Sequence, residues 1–352
     1  ERSAWIVRDL ATLSGGDPSQ DSSMLRGALL ERAASDWLMK RVEARHLRNA
    51  NRSAEAEVAV AAAREHATSD VRRYTFLSLI GFVLFLLGSI LVLAWPWVRR
   101  TLHRSGHLGL GEHPSPFAVH STGRVLSLWF LAFILTGLLL SGAGRPAEGV
   151  FASTTMALVL GSQTLLHGIV ALVLIQRLGR SQGPHLPLTI PLRLGFTTAM
   201  RGGRGLFVWT IGGLSLGVVA VLSATVISEI VFGSSADTQS ALELFAGMSD
   251  AGAQMIVAFS VVALAPFFEE VLFRGFVYRN LRDSLGVAGA VIVSSILFAV
   301  VHMEPQLILP LGGLGAVLAI SFELSGSLIV PILVHAAWNL GGLLNILVLA
   351  EG

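Results

Sequence analysis

From residue 75 onward, apolar residues run in long blocks separated by short polar stretches. The blocks cover 75–98, 125–142, 150–176, 206–232, 253–283, 285–303, 306–323 and 327–349. Most of them are close to the roughly 20 residues a helix needs to cross a bilayer core. Eight spans are expected, hence an all-α polytopic membrane protein. The block at 306–323 carries Pro305, Pro310 and several glycines, which allow a short, broken or re-entrant segment. Trp95 and Trp97 close the first block, as aromatics do at a membrane–water interface. No internal repeat emerges.

The part before residue 74 has a different pattern. Ser22 and Ser23 can cap a helix on which Leu25, Leu29, Leu30, Ala33, Trp37 and Leu38 recur at helical spacing. Alanine-rich text follows from Ala54 to Ala67, and one or two amphipathic helices are expected over 22–70. Asn51-Arg52-Ser53 fits a glycosylation triplet, a signal that chance alone supplies. Residues 1–73 carry 12 of the 25 Lys/Arg and 11 of the 23 Asp/Glu, so a polar head precedes a body with few charges. Three regions result: a polar, mainly helical extramembrane segment (1–73), a first set of spans (74–249), and a last set (250–349) that holds the chemistry considered below.

Charge also sets an expected orientation. Loop 177–204 holds Arg177, Arg180, Arg193, Arg201 and Arg204 without an acid, whereas 233–252 holds Asp237, Glu243 and Asp250 without a base. Positive-inside logic places the first loop in the cytoplasm and, counting back, residues 1–73 outside it. Cysteine is absent, which removes disulfides, a thiol nucleophile and thiolate metal sites. The net charge of +2 and the lack of a basic, aromatic-interleaved stripe argue against nucleic acid as a partner.

Polar side chains inside apolar spans are costly and point to function. No Asp lies mid-span and no His-Glu-x-x-His occurs, so paired-aspartate and site-2 zinc chemistry are set aside. Three clusters remain. In Pro266-Phe267-Phe268-Glu269-Glu270-Val271-Leu272-Phe273-Arg274-Gly275, successive helical residues diverge by about 100°. Glu270 and Arg274, four apart, can pair, either as a structural ion network or as part of a site, while Glu269 points elsewhere without a local partner. Phe298 and His302 share a helix face; a single His of this kind is commonly a hydrogen-bonded interior residue. His335 and Asn339 share another face, which suits either a polar cavity or a helix–helix hydrogen bond. His167 has no polar neighbour in sequence and reads as structural. Together the clusters offer a carboxylate that can deprotonate water and imidazole or amide donors that can hold an oxyanion.

These residues resemble the CPBP (CAAX protease and bacteriocin-processing, or Abi) family of intramembrane glutamic endopeptidases. Its pattern Glu-Glu-x-x-x-Arg, Phe-x-x-x-His, His-x-x-x-Asn stands here as Glu269-Glu270…Arg274, Phe298…His302 and His335…Asn339. The likeness covers about residues 250–345. It implies that Glu269 activates water with help from His302, that His335 and Asn339 line the oxyanion site, and that Glu270 and Arg274 orient the first glutamate. It implies no cofactor and no metal, and a membrane-anchored protein or peptide as substrate. The Arg-rich, Lys-poor composition suggests a bacterial inner membrane, where trimming of C-terminal sorting tails suits the expected topology better than prenyl processing. Other readings stay open: a zinc protease using Glu269, His302 and His335; a non-enzymatic immunity or regulatory protein; and a serine protease based on Ser215. A transporter would need polar residues spread over more spans.

Overall fold

The computed structural model describes residues 53–104, 119–142, 150–179, 202–232, 248 and 250–351. The helices expected over 22–52, Asn51-Arg52, and most of the two loops used for orientation lie outside the described residues. Among those described, all regular structure is helical: α1 (Ser53–Leu93), α2 (Trp95–Arg104), α3 (Val119–Gly142), α4 (Val150–Gly179), α5 (Gly202–Phe232), α6 (Ala251–Phe259), α7 (Ala265–Glu270), α8 (Arg279–Val300), α9 (Ile308–Ser325) and α10 (Ile329–Glu351). Two π-helical stretches, Ser260–Leu264 and Val271–Tyr278, join α6 to α7 and α7 to α8. A 3-10 turn, Pro305–Leu307, leads into α9.

Among the described residues, seven stretches of helix are long and apolar enough to cross a membrane. The longest, Ala251–Val300, has 50 residues. At 1.5 Å per residue it would measure about 75 Å, more than twice a bilayer core of about 30 Å. Gly286 breaks it: φ is 68° and ψ 177°, a backbone state that glycine reaches without steric cost. The break falls at the second residue of the 285–303 block, next to its boundary with 253–283, and it accounts for the difference between seven continuous stretches and eight blocks. The 306–323 block forms one continuous helix inside the candidate span Pro305–Ser325. In α1 nothing interrupts the helix between its polar start and its apolar end, so the alanine-rich text runs directly into the first span. The span ends at a turn at Ala94, and Trp95 and Trp97 open the short α2.

Two compact units divide the chain, one comprising residues 1–80 and 343–352, the other 81–342. In the first, Ala56 and Ala59 are buried while Val58, Val71, Phe76 and Leu79 are exposed. The second contains every residue discussed below. There α9 packs on α5 and α8, α3 on α4, and α4 on α6. Its main core gathers Phe273, Phe276, Tyr278, Phe298 and Phe322 with Val125, Trp129 and Ile175; a smaller cluster joins Leu314 and Leu318 to Val330 and Val334.

Apolar contact alone gains little for helices already surrounded by lipid tails, so close fit and polar ties carry more of the association. Several such ties occur here. Asn280 Nδ2 donates to Thr122 Oγ1 at 3.1 Å, linking α8 to α3. Ser228 Oγ donates to the Gln306 carbonyl at 2.8 Å. Arg282 grips Glu323 through two hydrogen bonds of 2.9 and 2.8 Å, and the Tyr278 hydroxyl donates to the same carboxylate. These ties fix α8 against α3 and α9 beside the residues of the site.

Candidate active site

Glu269 and Glu270 close α7, a six-residue helix with π-helical turns on both sides. Wide turns of this kind are frequent at functional sites. Glu270 points inward and is fully buried together with Arg274. Arg274 Nη1 donates to Glu270 Oε1 at 2.8 Å, and Nη2 donates to the Gly315 carbonyl at 3.0 Å. Gly315 also lets α9 close on α8: a Cβ there would lie 3.1 Å from Ser295 Cα and 3.3 Å from the Phe298 ring. The guanidinium carbon sits 4.5 Å from the centre of the Phe298 ring, a cation–π contact.

His335 on α10 is also buried, and its Nδ1 lies 2.9 Å from Glu270 Oε1. That oxygen already accepts from Arg274, so Nδ1–H donates and, in the neutral ring, Nε2 keeps the lone pair. Nε2 lies 3.9 Å from Glu269 Oε2, too far for a direct hydrogen bond. Glu269 is the more open carboxylate: its side chain is 26% exposed, yet Oε2 itself is shielded and has no partner.

His302 stands just past the C-terminus of α8. The helix tightens there, with the His302 N–H turning back to the Ala299 carbonyl and the Met303 N–H to that of Val300. Met303 adopts φ 58°, a left-handed state unusual for a residue other than glycine. The His302 Nδ1 lies 2.7 Å from the Phe298 carbonyl. A carbonyl can only accept, so here too Nδ1 carries the proton and Nε2 is left as the base. Phe298 is buried, and both imidazoles approach its ring, with centroids 4.9 Å away for His302 and 5.7 Å for His335.

Asn339 has a different partner. Its Nδ2 donates to the Val261 carbonyl at 2.8 Å. That carbonyl is free because the Ala265 N–H reaches back to Ser260 in the π-helical turn and the next residue, Pro266, has no N–H. One amide hydrogen of Asn339 remains for other use.

A cavity of about 260 Å³ opens beside these groups, and Glu269 and His302 both line it. Its other walls include Phe268, Leu272 and Phe273, and also Trp129 and Phe133 from α3 and Thr164, His167, Gly168 and Ala171 from α4. His167 was expected to have no polar neighbour, and the structure corrects this. Its Nε2 meets the Thr136 hydroxyl, and its backbone carbonyl accepts from Trp129 Nε1 at 3.2 Å. Sequence spacing could not have shown either contact, because both cross from one helix to another.

The structure thus sets Arg274, His302 and His335 against Phe298, ties Glu270 to Arg274 and His335, leaves Glu269 at the cavity with His302, and ties Asn339 to the helix turn just before Glu269. It also bears on two of the other readings. Among the described residues, no three His, Asp or Glu side chains gather as metal ligands, the set of Glu269, His302 and His335 included. Ser215 is buried, and its hydroxyl donates to the Ile211 carbonyl of its own helix at 2.7 Å.

Residues 251–341 match the family described as Type II CAAX prenyl endopeptidase Rce1-like. No curated protein and no solved structure matches the chain. The matched segment begins at the first residue of α6 and ends in α10 just beyond Asn339, so it takes in all three motifs. The chain is a multi-pass, all-helical membrane protein whose residues 251–341 match the Rce1-like model of the CPBP family.

Proposed function

We propose that the protein is a glutamate-dependent intramembrane endopeptidase that hydrolyses a peptide bond near the membrane-embedded or C-terminal end of a membrane-anchored protein. The observation that carries this reading is Glu269 Oε2, a shielded carboxylate oxygen without a partner, at a cavity shared with His302 and 3.9 Å from His335 Nε2. One water making hydrogen bonds of about 2.8 Å at a near-right angle bridges such a separation.

In the proposed reaction Glu269 takes a proton from that water, and the oxygen attacks the scissile carbonyl carbon. The C=O π pair moves onto the carbonyl oxygen, held by an N–H donor in reach. When the tetrahedral intermediate collapses, the C–N bond breaks and the proton passes to the leaving nitrogen. His302, which also lines the cavity, assists the proton transfer through Nε2. Glu270 and Arg274 hold His335 in place. Asn339 acts by holding the turn before Glu269, with its second amide hydrogen available to an oxyanion.

The substrate end is a C-terminal sorting tail, cleaved on the side of the membrane that carries residues 1–73. The supports are the arginine-rich 177–204 loop, which assigns that loop to the cytoplasm, and the composition. Reporter fusions that placed residues 1–73 in the cytoplasm would remove this part of the reading.

The test is mass spectrometry of membrane-protein C-termini from cells expressing wild type, Glu269→Gln or His302→Ala at equal levels. A defined set of tails is expected to stay uncut in both variants. Unchanged tails in both variants, alongside an effect of deleting the gene, would reject hydrolysis as the function.

A further inference from the structure

Six cavity-lining residues come from α3 and α4, outside the segment that matches the family. These are Trp129, Phe133, Thr164, His167, Gly168 and Ala171. The space beside the chemistry is therefore built in part by helices outside that segment. At about 260 Å³, the cavity falls below the roughly 300–1,000 Å³ of sites that take drug-sized ligands. It suits one large side chain.

Trp129, Phe133, Phe268 and Phe273 give it an aromatic lining on several sides. Trp129 meets Phe273 edge to face with centroids 6.3 Å apart, and Phe133 lies against the His167 ring at 4.8 Å. Aromatic rings favour such edge and tilted contacts with a further ring. Polar atoms are few, and most are engaged. The Thr164 hydroxyl donates to the Leu160 carbonyl. The Thr136 hydroxyl donates to carbonyls of its own helix, at 2.7 Å to Ala132 and 3.0 Å to Phe133, so it accepts from His167 Nε2–H. That fixes the tautomer and leaves His167 Nδ1 as an acceptor with no partner among the described residues. Gly168 sets the depth of one wall, because a Cβ there would lie 2.2 Å from the Phe268 ring.

Resting on the proposed peptidase reading, we propose that this cavity is a specificity subsite for one aromatic side chain next to the scissile bond, with His167 Nδ1 accepting a hydrogen bond from a donor at its tip. Tyrosine and tryptophan have that form: an apolar body and a polar end. His167 is then a specificity-determining residue supplied from outside the family segment.

The test needs no turnover. Full-length protein in lipid nanodiscs is irradiated with a membrane-spanning leucine–alanine peptide that carries one benzoylphenylalanine near its end. Cross-links are mapped by mass spectrometry. Labelling is expected at residues 129–133 and at Phe268, and a tyrosine peptide should compete at least tenfold better than a leucine peptide. Gly168→Ala pushes Phe268 into the cavity and should cut labelling at least tenfold. Phe133→Ala widens the same wall and should keep labelling while admitting bulkier probes, which separates a filled cavity from a misfolded chain. Labelling that spreads over lipid-facing residues and is indifferent to Gly168→Ala overturns the proposal, as does equal competition by leucine. Because binding is read directly, cross-linking that persists where Glu269→Gln leaves tail cleavage unchanged would retain the subsite and reject the peptidase reading.

Discussion

Asn339 donates its side-chain amide to the main-chain carbonyl of Val261, 2.8 Å away and 78 residues earlier in the chain. This hydrogen bond replaces one that the helix cannot make. The π-helical turn shifts the Ala265 N–H to Ser260, and Pro266 has none to offer. The bond ties α10 to the turn from which Glu269 projects.

Asn339→Leu should therefore leave the Val261 carbonyl unsatisfied, at a cost of about 1–3 kcal/mol. Pro266→Ala restores an N–H within reach of that carbonyl, so Asn339→Leu should cost less in that background. Thermal unfolding in detergent of wild type, the two single variants and the double variant measures the coupling. Additive effects would show that the two residues act independently.

The second expectation separates two adjacent glutamates. Glu270 and Arg274 form a fully buried pair, with His335 on the same oxygen. Removing one partner strands the other charge, so Glu270→Ala or Arg274→Ala should destabilise the protein by about 3–5 kcal/mol. Glu269 has no partner to strand, and Glu269→Gln should leave unfolding within about 0.5 kcal/mol while turnover falls about 10²–10⁴-fold. Denaturation curves paired with cleavage rates distinguish the two classes. Equal destabilisation at 269 and 270 would contradict the geometry.

A third expectation concerns pH. Asp250 caps α6, accepting from the Ala253 N–H at 2.9 Å and from the Thr154 hydroxyl at 3.2 Å. The Ala253 hydrogen bond is the main influence lowering its pKa below the ordinary carboxylate value, with the Thr154 bond adding to it. A carboxyl with a lowered folded-state pKa stabilises the fold above its unfolded pKa and ceases to do so as pH falls through the folded one. The melting-temperature difference between wild type and Asp250→Ala should therefore be full at neutral pH. It should begin to close below about pH 4 and shrink further under stronger acid. A difference that grows on acidification would refute the assignment.

Much of this arrangement was legible in the sequence, for a simple reason. Spacing of four residues on a helix sets side chains side by side, so Glu270 with Arg274 and Phe298 with His302 could be read as neighbours. Glu269, offset by one residue, could be read as facing away from the ion pair. Few other ionisable residues lie mid-span, so the three clusters stood out. What escaped depended on departures from the regular helix or on helix-to-helix distances. Asn339 lies one turn from His335 as expected, yet its partner is a carbonyl freed by a π-helical turn. His302 stands where α8 has already ended, held by its own Nδ1 on the Phe298 carbonyl. His167 looked isolated because Thr136 and Trp129 reach it from a different helix. Gly286 could be counted among many glycines, but its positive φ could not be read from its letter.

Phe298 has no polar atom and cannot exchange a proton, yet the guanidinium of Arg274 and both imidazoles lie against its ring. A hydrocarbon thus acts as the gauge block from which one guanidinium and two imidazoles take their positions. A smaller residue there would loosen all three together, and a larger one would spread them together. Tolerance at position 298 is accordingly all-or-none: the site cannot be tuned there one group at a time, and variation that alters the chemistry gradually must enter through the residues around the ring.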